Sequence, residues 1–326
     1  MPGNGEDFLG PNAQKKSIAK RPYSLRCSPS RIRLTYLSAA GILSFRACES
    51  RLVRKWSVPI NTEETVTNNY TFGDNDRASA RLRKLAEVYA PDMRELLAHR
   101  AIKRRTLAVD LGCGPGWSTQ LLQETISPTR SVGLDASERY IAEARSRNLD
   151  TRISFEVHNI TQAPFPVSLP DLLFCRFLLT HLSQPVRALE AWASVAAKRA
   201  VLLVHETERM ETENPSLSRY YELLSQLQNH YGQALQIGTR LENYVTQTPW
   251  RLIDSRSLAL SKPGSLMAEL HVENLRTWRQ DSYSRQSFDP DEIDSLELSL
   301  ERIASGVEEG GTVMNTAKQI VAELIS

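Results

Sequence analysis

An alternation of short apolar runs with helix-like stretches, between residues 106 and 204, constrains the fold of this chain more than any other feature. The apolar runs cover residues 106–111, 131–134, 153–157, 172–177 and 200–204, and the helix-like stretches cover 116–125, 137–147 and 184–198. Parallel strands need a crossover connection, which is usually a helix. Strands that alternate with helices at this spacing therefore predict a mostly parallel sheet with helices on both faces.

Patterns outside that region predict further elements. An amphipathic helix is predicted up to Pro91, on the apolar positions Leu82, Leu85, Val88 and Tyr89. After residue 204 the alternation stops. The later patterns predict a long helix over 217–231, a strand over 250–260 and a helix that begins at Asp289 and Pro290. The pattern over 313–324 favours a last strand, with a helix as the alternative.

A cluster of glycines follows the first apolar run, where a strand must turn sharply into a helix. The cluster consists of Gly112, Gly114 and Gly116, and it is preceded by Asp110. Glycines at such a turn let the backbone approach a ligand that any Cβ would obstruct, and the helix beyond presents free N–H groups. A dinucleotide fingerprint would need a small residue at position 117, which is Trp117 here.

The segment 109–119 resembles the first motif of class I S-adenosylmethionine-dependent methyltransferases, and segments 132–135, 155–160 and 171–182 resemble the following motifs in order. The likeness is strong over about residues 68–205 and weak beyond them. It implies an α/β fold with a doubly wound, mostly parallel seven-stranded Rossmann-like sheet and helical cap insertions after the fifth and sixth strands. It also implies S-adenosyl-L-methionine as cofactor, a methyltransferase domain over residues 58–326, and a substrate cap within 206–326.

The resemblance assigns roles to residues at the ends of the first two strands. Asp110 would support the amino end of the cofactor's methionine, although an acid at this place can also cap a helix. Gly112 and Gly114 would let the backbone approach the cofactor, and Gly116 would either do the same or allow close helix packing. Asp135 would accept hydrogen bonds from both ribose hydroxyls.

Five further residues would complete the cofactor site. Asn159, where the family usually has Asp, would accept a hydrogen bond from the adenine amino group or serve as an ordinary turn residue. Ile160 would lie against the adenine ring. Tyr70 would belong to a segment that closes over the cofactor, and Arg81 would pair with the methionine carboxylate or remain a solvated helix residue. Arg176, at the end of the fourth strand, is grouped with the cofactor-binding residues.

The catalytic prediction is a single residue. A general base helps when the acceptor is a hydroxyl, and His181, just past the fourth strand, is the candidate, although a histidine there is also an ordinary structural residue. Metal-dependent relatives place an acidic ligand after that strand, where this chain has Arg176, so no metal is predicted. Cys175 follows Phe174 rather than Pro or Thr, which indicates a core residue and not a cytosine-methylating nucleophile.

Substrate choice is predicted to lie after residue 204. Tyr220, Tyr221, Tyr231 and Trp278 would form an aromatic lid over the reacting methyl group, or pack in the helix core. Segments 220–224, 230–233 and 274–279 resemble the helical cap of methyltransferases that act on small molecules. This resemblance implies an enzyme that methylates an oxygen or nitrogen of a small organic molecule. Its expected setting is secondary metabolism, and its expected state is a monomer or homodimer.

Residues 1–57 differ from the remainder in charge. They hold eleven Lys and Arg and three acids, a net charge of +8, whereas the remainder carries 29 basic and 35 acidic residues. We interpret them as a poorly ordered leader, although the composition also suits mitochondrial targeting. A basic arm would alternatively make the protein an RNA methyltransferase, and a non-catalytic cofactor-binding regulator is the other alternative. Four scattered cysteines and the lack of an 18-residue apolar run indicate a cytoplasmic protein without a membrane partner.

Overall fold

The computed structural model describes residues 73, 75–99, 102 and 105–325. Tyr70 and the basic leader over residues 1–57 lie outside the described residues, so the predictions made for them stay predictions. Within the described ranges, no helix combines the length and the apolar character that crossing a membrane requires.

The described strands form one seven-stranded sheet. They are β1 (Leu107–Leu111), β2 (Arg130–Asp135), β3 (Ile153–Val157), β4 (Leu172–Arg176), β5 (Val201–Thr212), β6 (Trp250–Pro263) and β7 (Thr312–Leu324). Their spatial order is β3-β2-β1-β4-β5-β7-β6, and only β7 runs antiparallel to its neighbours. The predicted mostly parallel sheet of seven strands is therefore confirmed.

Helices connect the strands and follow both β5 and β6, as predicted. In the described part of the chain they are α1 (Asp76–Leu97), α2 (Trp117–Ile126), α3 (Glu138–Arg147), α4 (Pro185–Val195), α5 (Pro215–His230), α6 (Leu241–Thr246), α7 (Gly264–Trp278), α8 (Ser282–Ser287) and α9 (Pro290–Ala304). Side chains at the N-caps accept backbone hydrogen bonds in several of these helices, for example Ser137 before α3 and Asp289 before α9. Such caps satisfy N–H groups that the helix itself leaves without partners.

Hydrophobic side chains cover both faces of the sheet. On one face, α4 and α6 bury Leu189, Trp192 and Val245 against the strands. On the other, Met93 of α1 and Leu122 of α2 pack against the strands. A third cluster lies beside the sheet, where α5, α7 and α9 pack together and against Val313 of β7. We call α5, α7 and α9 the cap helices.

Two predicted boundaries are wrong. The fifth strand does not stop at residue 204 but continues to Thr212, because β7 pairs with it along this extension, with an irregularity between Thr207 and Arg209. Charged residues in the extension hide the apolar pattern of a strand. The first helix does not end before Pro91 but continues to Leu97, because the last two turns bury further apolar side chains, among them Met93.

Candidate active site

A cavity of about 790 Å³ lies at the carboxyl edge of the sheet. The residues of the sequence prediction that line it are Arg81, Gly112, Gly114, Asp135, Asn159, Ile160, Arg176 and His181. Ligand sites of open α/β sheets occupy this edge, because the loops that follow the parallel strands converge there. The structure therefore brings together every predicted site residue that it describes except Asp110.

Three glycines shape the bend between β1 and α2. Gly112, Gly114 and Gly116 have φ angles of +66°, +52° and +87°, a region that favours glycine. Gly112 and Gly114 line the cavity, whereas a Cβ on Gly116 would lie 2.6 Å from Cε1 of Phe155. The position of Gly116 thus corresponds to the close-packing alternative.

Asp135 ties the bend to the end of β2. One carboxylate oxygen accepts a hydrogen bond of 2.8 Å from the backbone N–H of Gly114, and the other accepts one of 2.9 Å from Ser137 N–H. A carboxylate offers about four acceptor positions, so both oxygens can accept further hydrogen bonds from a ligand. Asp135 thus presents charged acceptors to the cavity where the sequence predicts the ribose site.

Asp110 lies behind the bend and not in the cavity wall. It is buried, and its carboxylate accepts hydrogen bonds from the hydroxyls of Ser118 at 2.7 Å and Thr119 at 2.6 Å. Burial raises the pKa of Asp110 to about 6, and these two hydrogen bonds oppose that rise. The carboxylate therefore joins the end of β1 to the first turn of α2 through two side-chain hydroxyls, and the role predicted for Asp110 at the methionine end of the cofactor stays a prediction.

Asn159 and Ile160 follow β3 and line the far side of the cavity. The side-chain oxygen of Asn159 accepts hydrogen bonds from the N–H and hydroxyl of Thr161, at 3.1 Å and 2.8 Å, so it organises a turn. Ile160 is buried, and its carbonyl accepts a bond of 2.8 Å from the indole of Trp192. Both residues are placed where the sequence predicts the adenine pocket.

Arg81 and His181 both line the cavity. Arg81 lies on α1 and is 7% exposed, so it is not the solvated helix residue of the alternative interpretation. His181 ends a short 3-10 turn after β4. Burial lowers the pKa of His181 to about 3, and the charge of Arg81 lowers it further. The imidazole is consequently neutral at physiological pH.

Arg176 brings a guanidinium into the cavity wall at the end of β4. Its Nη1 is buried without a hydrogen-bond partner among the described residues, and its cation lies over the ring of Phe177 at 5.8 Å. Burial lowers the pKa of Arg176, and the nearest acid that opposes this shift is Asp110. A guanidinium held in this way is suited to pairing with an anion in the cavity.

The predicted aromatic lid is largely part of the cap core. Tyr220 and Trp278 are both fully buried and do not line the cavity, and the hydroxyl of Tyr231 donates to the carboxylate of Asp281. Only Tyr221 of this group lines the cavity, and it shares a hydrogen bond of 2.7 Å with His271. The aromatic spacing therefore indicated helix packing for three of the four residues.

The sequence analysis missed the polar residues that the cap helices and β7 contribute to the cavity. These are Gln228 on α5, His271 and Asn274 on α7, and Asn315 on β7. Single polar residues within amphipathic helices carry no sequence signal that separates them from surface positions.

The sequence analysis also missed Glu206, which does not line the cavity but supports its wall. One oxygen of its buried carboxyl accepts hydrogen bonds of 2.7 Å from the N–H groups of Leu178 and Leu179, and the other oxygen is buried without a partner. Burial raises the pKa of Glu206 to about 8. Leu178 lines the cavity, so Glu206 fixes part of its wall.

Comparison with known proteins identifies the central segment. Residues 108–199 match a family model described as a methyltransferase domain. The chain is 32% identical over 144 residues to a trans-aconitate 2-methyltransferase of Methylobacterium nodulans, covering 44% of this chain and 55% of that protein. It is 35% identical over 111 residues to an Escherichia coli protein of the same name, covering 34% and 42% respectively. The chain thus spans about half the length of these relatives.

Solved structures align over a longer part of the chain at lower identity. The cyclopropane synthase MmaA2 of Mycobacterium tuberculosis aligns with 72% of this chain and 83% of its own, at 15% identity and a TM-score of 0.46. The fold assignment rests instead on the strand order of this chain and its antiparallel β7. Within this fold, the segment 108–199, which contains the glycine bend, matches a methyltransferase domain.

Proposed function

We propose that this chain is an enzyme that transfers the methyl group of S-adenosyl-L-methionine to an oxygen or nitrogen of a small organic molecule. One observation carries the proposal: a single cavity is lined on one side by the glycine bend and Asp135, and on the other by α5 and α7. Methyl transfer needs donor and acceptor in contact and in line, so the two must share one enclosed space. A volume of about 790 Å³ is in the range of small-molecule sites.

The residues at the bend fit this cofactor. Gly112 and Gly114 contribute backbone to the wall, where a Cβ on Gly112 would lie 2.6 Å from the Leu178 side chain, and Asp135 presents charged acceptors for hydroxyl groups. The N-cap of α2 is Gly116, which makes no side-chain capping bond, so the first N–H groups of that helix remain available to polar ligand atoms. When bound, the cofactor supplies an electrophilic methyl group, and the chain binds, aligns and shields it.

The protonation state of His181 limits the base chemistry of the site. Since burial holds its pKa at about 3, the neutral imidazole can accept a hydrogen bond, but its protonated form is strongly disfavoured. We propose that His181 accepts a hydrogen bond from the acceptor and orients it, rather than taking its proton. An acceptor that has lost its proton before binding would need no base, and the site favours such an acceptor.

Arg176 supports a ligand that carries a carboxylate. Its guanidinium lines the cavity, and no ion pair to it is formed within the described residues. The carboxylate has two sources: the methionine end of the cofactor, or an acidic acceptor. The relatives are named for trans-aconitate, an organic acid, and we propose that the acceptor of this chain also carries a carboxylate.

Methyl transfer is tested with the full chain and cofactor labelled in its methyl group. The acceptor panel contains trans-aconitate, other small organic acids, and neutral alcohols and amines of similar size. Labelled product from acids, with little from the neutral compounds, is the expected result. Binding of S-adenosylhomocysteine without product from any small molecule, or label only in macromolecules, would contradict the proposal.

The variant Arg176→Gln separates the two sources of the carboxylate. Binding of S-adenosylhomocysteine is measured by calorimetry, and the KM of the best acid acceptor by the label assay. A rise in KM with unchanged cofactor affinity assigns Arg176 to the acceptor. A loss of cofactor affinity instead assigns it to the methionine carboxylate, in agreement with the sequence prediction.

A further inference from the structure

The roof of the cavity, formed by α5 and α7, holds buried polar groups without partners. Both atoms of the Gln228 side-chain amide are buried and make no hydrogen bond, and Gln228 has no exposed surface. Nδ1 of His271 is likewise buried without a partner, whereas the side chain of Asn274 lies within hydrogen-bonding reach of the Tyr220 hydroxyl, and each of these two residues is 7% exposed. All three residues line the cavity.

Such a concentration of unpartnered groups indicates a ligand. Buried polar groups in folded proteins nearly always have partners, and a lone exception calls for an explanation. His271 and Asn274 are three residues apart and therefore lie on the same face of α7. Gln228 lies on the same face of α5 as Tyr221 and Leu224, which also line the cavity.

The roof lies on the acceptor side of the cavity. The cap helices pack against Met210 of β5 and Val313 of β7. Asp135 ends β2, and β5 is three strands away from β2 in the sheet, roughly 14 Å at the usual strand spacing. A ligand that contacts the roof is therefore at the other end of the cavity from the predicted ribose site.

The roof offers uncharged hydrogen-bonding groups, which are two side-chain amides and one imidazole. An amide offers one donor and one acceptor side by side, and the group that matches both is another amide, a lactam edge or a similar pair. Burial lowers the pKa of His271 to about 3, so its imidazole is neutral. The charge of Arg81 also acts on His271, so a competing anionic ligand is included in the test.

We infer that Gln228, His271 and Asn274 form a roof subsite that binds an uncharged hydrogen-bonding group of the acceptor, of the carboxamide type. The inference rests on the proposed function, because it takes the occupant to be the acceptor. It adds that the acceptor carries such a group and that Gln228 determines specificity for it.

The test uses small probes that differ in a single group. Isovaleramide, 4-methyl-2-pentanone and isovalerate share the 3-methylbutanoyl group, and its carbonyl carbon carries NH2, CH3 and O⁻ respectively. Their binding to the full chain saturated with S-adenosylhomocysteine is measured by ligand-observed NMR. We expect isovaleramide to bind about tenfold more tightly than the ketone, the effect of one added hydrogen bond to a buried group.

Substitutions assign the preference to the roof. Gln228→Met keeps the length of the side chain and should remove the preference for the amide over the ketone, and Asn274→Leu should reduce it. Gln226→Met is the matched control, because Gln226 lies exposed on the same helix as Gln228 and does not line the cavity. The preference should survive in this control.

Three outcomes would overturn the inference: equal binding of amide and ketone to the wild type, a preference for the amide that persists in both Gln228→Met and Asn274→Leu, or a loss of isovalerate binding in Gln228→Met as large as the loss of isovaleramide binding. Failure of the protein to bind S-adenosylhomocysteine would instead refute the proposed function. Thermal unfolding confirms that each variant is folded before its probes are compared.

Discussion

The backbone N–H of Gly114 donates a hydrogen bond of 2.8 Å to the carboxylate of Asp135, 21 residues further along the chain. The bond joins the bend after β1 to the end of the neighbouring strand β2, so the two predicted halves of the cofactor site support each other. Asp135 thus holds the bend in place, and the sequence analysis predicts a second function for it, which is to accept hydrogen bonds from the cofactor ribose.

Replacing Asp135 should separate these two functions. Asp135→Ala removes both, and we expect affinity for S-adenosylhomocysteine to fall by about 1–3 kcal/mol, since charged hydrogen bonds to buried groups contribute that much. Asp135→Asn retains one acceptor oxygen, and its loss should be smaller. Titration calorimetry measures both, and unchanged affinity in the alanine variant would show that the ribose assignment is wrong.

Replacing Gly116 should destabilise the fold through packing. Gly116→Ala places a methyl group 2.6 Å from the Phe155 ring and 3.1 Å from Cβ of Ala144, at a φ of +87°. Gly306 also has positive φ, but its Cβ position has no atom within 4 Å, so Gly306→Ala is the matched control. We expect a loss of about 1 kcal/mol for the control, from the left-handed conformation alone.

The difference in the free energy of unfolding between the two glycine variants measures the cost of the steric overlap with Phe155 and Ala144. Gly116→Ala should lose about 1–3 kcal/mol more than Gly306→Ala, the usual cost of overpacking a core. Urea unfolding with a shared slope provides the comparison. Equal losses would mean that Phe155 and Ala144 move aside without cost.

Replacing Glu206 should change how stability depends on pH. Its pKa is about 8 in the folded protein and near 4.5 when unfolded, so the folded state binds the proton more tightly. The stabilisation from this proton is complete below pH 4.5, declines above it and is lost as the pH passes 8. Wild-type protein should therefore lose stability relative to Glu206→Gln across this window, by a few kcal/mol, about 1.4 per unit of pKa difference.

Chemical denaturation between pH 5 and 9 tests this prediction. Glu190→Gln, on the exposed side of α4, is the control and should follow the wild type at each pH. Asp110, whose pKa is also raised, is present in all three proteins and cancels in the comparison. Parallel curves for wild type and Glu206→Gln would show that Glu206 is ionised throughout.

Replacing Arg176 should raise stability while impairing ligand binding. Its guanidinium is half-buried with Nη1 unpartnered, so the ligand-free protein bears a desolvation cost. Arg176→Met removes the charge and keeps the length, and we expect the free energy of unfolding to rise by about 1–2 kcal/mol. Trans-aconitate, or the acid acceptor found in the label assay, should raise the melting temperature of the wild type only. A less stable methionine variant would show that Arg176 serves the fold.

The sequence alone predicted the parallel strands β1 to β5, because a local pattern of apolar residues indicates each strand and helix in residues 106–204. It also predicted the glycine bend and Asp135, since both stand at strand ends in an order that the chain itself specifies. The length of β5 escaped prediction, because its charged residues are stabilised in a strand by pairing with β7, over 100 residues away.

Contacts between distant segments decided the rest of the site. The hydroxyls of Ser118 and Thr119 on α2 donate to Asp110 outside the cavity wall. Tyr220 and Trp278 are buried in the packing between the cap helices. Gln228 and His271 meet at the roof only because α5 and α7 fold onto the same end of the sheet. Apolar periodicity is a local property of the sequence, whereas the contacts of a buried polar group depend on which remote segments pack around it.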